Sequence, residues 1–174
     1  MSKLELIQGS CVHQSADVIV NAANRHLAHG SGVCGEIFKY AGPNKLAKAC
    51  GKYPTPLRDG DAVITPSFDL TNAKAIIHAV GPDFNNTPKA FKELFDAYYN
   101  SLVVLKDNGY HSIAFPLISS GIFGGTNPNK YAESAKQCRR AYQRFVSDYP
   151  DYDIEVTLCA FTPEEYSEAK EEIS

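Results

Sequence analysis

Polar and apolar residues alternate over Lys3–Gln8 and the run stops at Gly9-Ser10, which reads as a half-exposed strand feeding a turn. Residues 17–21 are instead apolar almost without interruption, the pattern of a strand covered on both faces. Further strands are predicted over residues 61–66, 74–80, 112–117 and 154–159. Helical spacing appears between them. Phe91, Leu94, Phe95, Tyr98, Leu102 and Leu105 mark a long amphipathic helix, opened by Thr87-Pro88 and closed by Asn108-Gly109, whose aromatics read as core. Shorter helices are predicted at residues 35–41 and 45–50, a long one from Asn127-Pro128 through Phe145, and a last one after Thr162-Pro163. Strands alternating with helices imply an α/β architecture: a largely parallel sheet with helices on both faces. Ligands of such sheets collect beyond the carboxyl ends of the strands.

One stretch organises the rest. The apolar run Val18-Ile19-Val20 empties into Asn21, Asn24, His26 and His29 and then a glycine-punctuated turn, Gly30-Ser31-Gly32-Val33-Cys34-Gly35, ahead of a helix. Glycines let backbone approach a ligand, and the first-turn N–H groups of a helix attract an anion. Gly30, Gly32 and Gly35 spell the dinucleotide fingerprint, but the Asn-rich segment separates them from the strand, and Asp59 sits in a turn-like Arg58-Asp59-Gly60-Asp61. A standard NAD-binding site is therefore disfavoured. The strand ending near Leu117 also empties into a glycine loop, Ser119-Ser120-Gly121-Ile122-Phe123-Gly124-Gly125. Two such loops on neighbouring parallel strands can hold a diphosphate between backbone N–H groups without lysine or metal. Nothing matches the P-loop pattern, so triphosphate hydrolysis of that kind is disfavoured.

Composition narrows the picture. The 174 residues suit one domain with no dividing linker. The net charge of −3 and scattered basic residues, with residues 136–144 the densest cluster, argue against duplex nucleic-acid binding. The acidic stretch 164–172 reads as the solvated face of the last helix. No signal peptide or membrane span is evident, and the expectation is a cytoplasmic monomer, in the host cytosol if the source is viral. Five cysteines, Cys11, Cys34, Cys50, Cys138 and Cys159, lack C-x-x-C spacing, and all but Cys34 read as reduced thiols in or near the core, with no metal and no cofactor expected.

Val20-Asn21-Ala22-Ala23-Asn24, His29-Gly30-Ser31-Gly32-Val33, His78-Ala79-Val80-Gly81-Pro82 and Pro116-Leu117-Ile118-Ser119-Ser120-Gly121-Ile122-Phe123-Gly124 resemble, in order, the signatures of macrodomains. Leu27-Ala28-His29-Gly30 and Gly121-Ile122-Phe123-Gly124 are similar to coronavirus-type members, Gly32-Val33-Cys34 to alphavirus-type ones, and the frame is shared by MacroD-type and bacterial members. The resemblance implies a three-layer α/β/α sandwich with a mixed, largely parallel sheet. It implies binding of ADP-ribose or ADP-ribosylated proteins, and hydrolysis of mono-ADP-ribose from acidic side chains or of O-acetyl-ADP-ribose. Carried over by motif, Asn24 would bond the distal ribose. Gly30, Ser31, Gly32, Val33 and Cys34 would line one side of the diphosphate and distal ribose, and Ser119, Ser120, Gly121, Ile122 and Phe123 the other. Phe161 would face adenine or else be a core aromatic, with Ser10 and the Cys11 backbone at the base edge. Asn21 would tie the loop backbone together, and His78 would complete a buried network.

Two departures from the family pattern bear on mechanism. Many macrodomain hydrolases carry Asp where Cys34 stands, and the family places Asp at Ser10. Positioning by Asn24, with a ligand phosphate orienting water, is then favoured over acid–base catalysis, and His29 is left as an acid, base, hydrogen-bond donor or structural residue. Cys34 as a nucleophile has no partner base in sequence. The alternative function is a module that reads ADP-ribose without turning it over.

Overall fold

The computed structural model describes residues 1–173. Six strands, β1 (Lys3–Gln8), β2 (Val18–Ala23), β3 (Ala62–Pro66), β4 (Ala75–Val80), β5 (Ser112–Pro116) and β6 (Glu155–Ala160), form one sheet in the order β1-β6-β5-β2-β4-β3. All neighbours are parallel except β3, which runs antiparallel to β4. The mixed, largely parallel sheet expected from the alternation is thus present.

Burial explains the order. Every residue of β4 is buried and β2 is nearly so, because both lie inside the sheet with helices above and below. The edge strand β1 alternates between exposed and half-buried positions, so its outer side meets water. Successive residues of β2 feed different cores. Val18 and Val20 pack with Leu94, Tyr98, Phe115 and Phe145, whereas Ile19 packs with Ile37, Phe38 and Leu46. Helices α1 (Gly32–Ala41) and α2 (Pro43–Cys50) therefore cover one face, and α3 (Phe91–Asp107), α4 (Lys130–Asp148) and α5 (Pro163–Ile173) the other.

Several helix boundaries differ from the sequence expectation. Helix α1 begins at Gly32 rather than residue 35, so Gly32, Val33 and Cys34 are its first turn rather than part of the preceding loop. Thr87-Pro88 does not open α3, which starts at Phe91. The Thr87 hydroxyl and N–H both bond to the Asp83 carbonyl, holding residues 83–87 in a separate turn. Asn127-Pro128 likewise precedes α4 without entering it: Asn127 Oδ1 accepts from the Asn129 N–H, and the helix runs past Phe145 to Asp148. All five cysteines are free and buried, as expected for Cys11, Cys50, Cys138 and Cys159, and Cys34 joins them.

Candidate ligand cleft at the strand carboxyl edge

Five strands, β1, β6, β5, β2 and β4, share one direction, so the turns that follow them gather at one edge. Strands β2 and β5 are direct neighbours, with Val18 opposite Ile113 and Ile19 opposite Ala114, which brings their glycine loops side by side. Strand β4 lies on the far side of β2, yet its outgoing turn touches the loop after β5. The Ser119 hydroxyl donates to the Pro82 carbonyl at 2.7 Å, and a Cβ added to Gly81 would collide with Ser119 Oγ. The second loop therefore reaches across the end of β2, over the place where the first loop emerges.

The first loop is braced by Asn24. Its Oδ1 accepts from the N–H groups of His26 (3.1 Å) and Ala28 (2.9 Å), and its Nδ2 donates to the Ala28 carbonyl at 3.0 Å. One N–H of the carboxamide remains for a ligand. The loop then enters α1 through Ser31, which sits in extended backbone at φ −102° and makes no side-chain capping bond. The first-turn N–H groups at Gly32, Val33 and Cys34 have no partner inside the helix, and the positive end of its dipole adds to them. Gly32 has φ +62°, the left-handed region where glycine costs least, and Ser31 does not require it. Gly35 serves closeness instead: a Cβ there would meet the Gly30 carbonyl at 2.8 Å.

In the second loop the hydroxyls are turned inward. Ser120 Oγ donates to the Leu117 carbonyl at 2.6 Å, and Ser119, at φ +58°, is fixed by its bond to Pro82. What Ser119, Ser120, Gly121, Ile122 and Phe123 leave for a ligand is backbone, whose N–H groups suit an anion. Ile122, 79% exposed, forms the outer tip, and the ring of Phe123 is half-buried.

At the other end of the cleft, Gly9 N–H bonds to the Ala160 carbonyl, so the ends of β1 and β6 lie together. Phe161 is 67% exposed there, which removes the core-aromatic alternative and leaves a free ring face. Ser10 Oγ accepts from the Val12 N–H as the cap of a short 3-10 turn over residues 11–13. The Cys11 side chain points inward to the Val20 carbonyl, and the residue as a whole is buried.

His29, Cys34 and Asn21 take roles the residue types alone did not settle. The His29 ring is stacked on Phe38 at 4.8 Å with planes 6° apart, so packing fixes it. Burial pushes the Cys34 thiol upward, and its Sγ donates to the Ala28 carbonyl at 3.6 Å, as a loop contact and not a poised thiolate. Asn21 reaches the Cys34 thiol and not the loop backbone. Its Nδ2 meets His78 Nδ1 at 3.0 Å beneath α1, and that bracing belongs to Asn24. His78 Nε2 meets Thr65 Oγ1 at 2.9 Å, and full burial pushes this imidazole down to about 4, so it is neutral and structural.

Supports that sequence did not reveal lie one layer back. Tyr98, a core position on α3, accepts the Ile118 N–H at 2.9 Å, while Ser134 on α4 donates to the Ile118 carbonyl at 2.6 Å. Together they clamp the root of the second loop; a tyrosine within an otherwise apolar stripe was the available signal. Arg25 forms a two-pronged bond to Asp59 at 2.9 Å on each arm, anchoring the first loop to the turn before β3. Among the described residues, no group of three His, Cys, Asp or Glu side chains is placed to hold a metal.

Comparison with known proteins agrees with this architecture. The family model described as Macro domain matches residues 20–138. A protein of Cronobacter turicensis named O-acetyl-ADP-ribose deacetylase is 45% identical over 128 residues, 70% of each chain. The solved Oceanobacillus iheyensis macrodomain with ADP superposes with a TM-score of 0.84 at 33% identity, covering 96% of this chain and 87% of that one. The Trypanosoma brucei macrodomain in complex with ADP-ribose gives 0.82 at 25% identity, covering 97% and 68%. With more than half its length matched and both glycine loops meeting at one sheet edge, the chain belongs to the macro domain family.

Proposed function

We propose that this chain binds ADP-ribose across the two loops and hydrolyses esters of it, both O-acetyl-ADP-ribose and mono-ADP-ribose carried on acidic protein side chains. The observation that carries the reading is the uncapped start of α1 beside the N–H-rich loop after β5, on adjacent parallel strands. That pair supplies backbone donors from two sides to a diphosphate and nothing that requires a metal. The free ring of Phe161 is the platform for the base, with Ser10 and the Cys11 N–H at its edge. Asn24 offers its remaining N–H to a hydroxyl of the distal ribose. Solved relatives with ADP and ADP-ribose, and a curated relative named as a deacetylase, support the same ligand class.

Residues 24–34 and 119–123 contain no carboxylate, and the Cys34 thiol is held protonated by burial. For the ester to an acidic side chain, water attacks the anomeric ribose carbon, the carbon–oxygen bond to the side chain breaks and the carboxylate leaves without prior protonation. For an acetate on a ribose hydroxyl, water attacks the acyl carbon and the leaving ribose oxygen takes up the proton the water gives up. The chain's share of catalysis is then positioning: the loops fix ribose and diphosphate, and a phosphate oxygen of the ligand orients the attacking water. His29, held against Phe38, contributes packing or a hydrogen bond at the rim.

The missing carboxylate also favours a second reading, a module that binds ADP-ribose without turning it over. One experiment separates them. Release of ADP-ribose from O-acetyl-ADP-ribose and from a protein automodified on Glu is followed beside an Asn24→Ala control. Turnover above the control supports the hydrolase; tight binding with no turnover of either substrate assigns the reader. Absence of binding at millimolar ADP-ribose overturns both.

A further inference from the structure

We infer that Asn85, in the turn after β4, is the positioning residue that aims the Phe123 N–H of the second loop at the ligand. This rests on the diphosphate reading of the cleft. Asn85 Nδ2 donates twice, to Asp83 Oδ1 at 2.8 Å and to the Ile122 carbonyl at 2.8 Å. The neighbouring Phe84 N–H donates to the Phe123 carbonyl, also at 2.8 Å. The Ile122 carbonyl also accepts the Gly125 N–H within its own turn, at a longer 3.4 Å, so two successive carbonyls of the loop are held and Asn85 makes the shorter of the two bonds to the first.

In a trans peptide unit the C=O and N–H point in opposite directions. Holding the Ile122 carbonyl toward Asn85 turns the Phe123 N–H the other way, and holding the Phe123 carbonyl toward Phe84 does the same to the Gly124 N–H. The Gly124 N–H is already spent on the Gly121 carbonyl at 3.0 Å. The Phe123 N–H is the one left over.

The hook itself is stiff. Asp83 Oδ1 also accepts the Asn85 backbone N–H at 3.1 Å, Oδ2 accepts from Asn86 Nδ2 at 3.2 Å, and the Asp83 carbonyl accepts from Asn86, Thr87 and the Thr87 hydroxyl. Backbones are also in contact, since a Cβ on Gly125 would lie 3.3 Å from Asn85 N and from Phe84 C. Asparagine suits the position because a short amide supplies two donors, one for a carboxylate that anchors it and one for the carbonyl it steers. Asp83 makes the first of these bonds charge-assisted, so the amide does not rotate freely.

The test compares the parent with Asn85→Ala and with Asn85→Asp, which keeps the shape and faces the Ile122 carbonyl with an acceptor. Calorimetry with ADP-ribose is expected to show about a tenfold weaker Kd for Asn85→Ala, the scale of one lost hydrogen bond, and a larger loss for Asn85→Asp. Amide NMR at saturating ADP-ribose supplies the readout that a purely structural role would not move. The ligand-induced shift of the Phe123 amide collapses in Asn85→Ala while those of Gly32, Val33 and Cys34 persist, at an essentially unchanged melting temperature. Parent-like affinity with the Phe123 shift intact overturns the inference, as does a loss spread equally over both loops. A parent that fails to bind ADP-ribose overturns the ligand reading instead.

Discussion

Replacing Asn24 by alanine removes three hydrogen bonds at once: two acceptors for the His26 and Ala28 N–H groups and a donor to the Ala28 carbonyl. Each neutral bond contributes about 1 kcal/mol net where water is excluded. Arg25 and His26 are exposed, so water replaces much of that, and the expected loss in folding stability is about 1 kcal/mol. Binding is hit harder. The variant loses the remaining carboxamide N–H and must also order an unbraced loop, together worth roughly 1.5–3 kcal/mol, or about 10- to 100-fold in Kd for ADP-ribose. Asn24→Asp sharpens the reasoning because it keeps both acceptor bonds, loses both donors and places a negative charge beside an anionic ligand. It also faces the Ala28 carbonyl with an acceptor, so it should melt below the parent and bind no better than Asn24→Ala. Calorimetry and thermal unfolding of the three proteins decide the matter. Parent-like ADP-ribose affinity in Asn24→Ala would refute the role assigned to this loop, and Asn24→Asp binding as well as the parent would refute an anionic occupant.

Other outcomes follow from the same geometry. Phe161→Ala should weaken ADP-ribose binding about tenfold with no change in melting temperature, since the ring is mostly exposed in the free protein; unchanged affinity would remove it from the base platform. Tyr98→Phe strands the buried Ile118 N–H and should cost about 1–3 kcal/mol in denaturant unfolding, so a neutral result would contradict the clamp. His78 is pushed below its ordinary value of 6.5, so the unfolded chain takes up the proton first as pH falls. Its contribution is complete above about pH 6.5 and is lost progressively between 6.5 and 4, by roughly 3 kcal/mol, and a flat urea midpoint across that window would contradict its burial.

Much of this arrangement can be read from the chain, for identifiable reasons. The double-sided burial of β2 and β4 leaves unbroken apolar runs, and the glycines that let backbone close on a ligand are visible as punctuation. Helix starts were harder. A left-handed Gly32 reads as the end of an element, yet here it is the first residue of one, three positions ahead of the start the sequence pattern predicts. Thr87-Pro88 carries a strong start signal, but the Asp83 carbonyl captures the threonine before a helix can form. Asn21 and Asn24 are both carboxamides three residues apart. Only the pleat of β2, which buries one beside His78 and leaves the other past the strand end, decides which of them braces the loop. The bonds from Asn85 to Ile122 and from Ser119 to Pro82 join segments 37 residues apart and leave no periodicity to detect.

The most direct test of the shared diphosphate cradle is an amide NMR titration of the parent protein with ADP. The account predicts that Gly32, Val33 and Cys34 shift together with Ser119, Ser120, Gly121, Ile122 and Phe123, all along one binding curve. Shifts confined to one loop, or two sets that follow different curves, would contradict it.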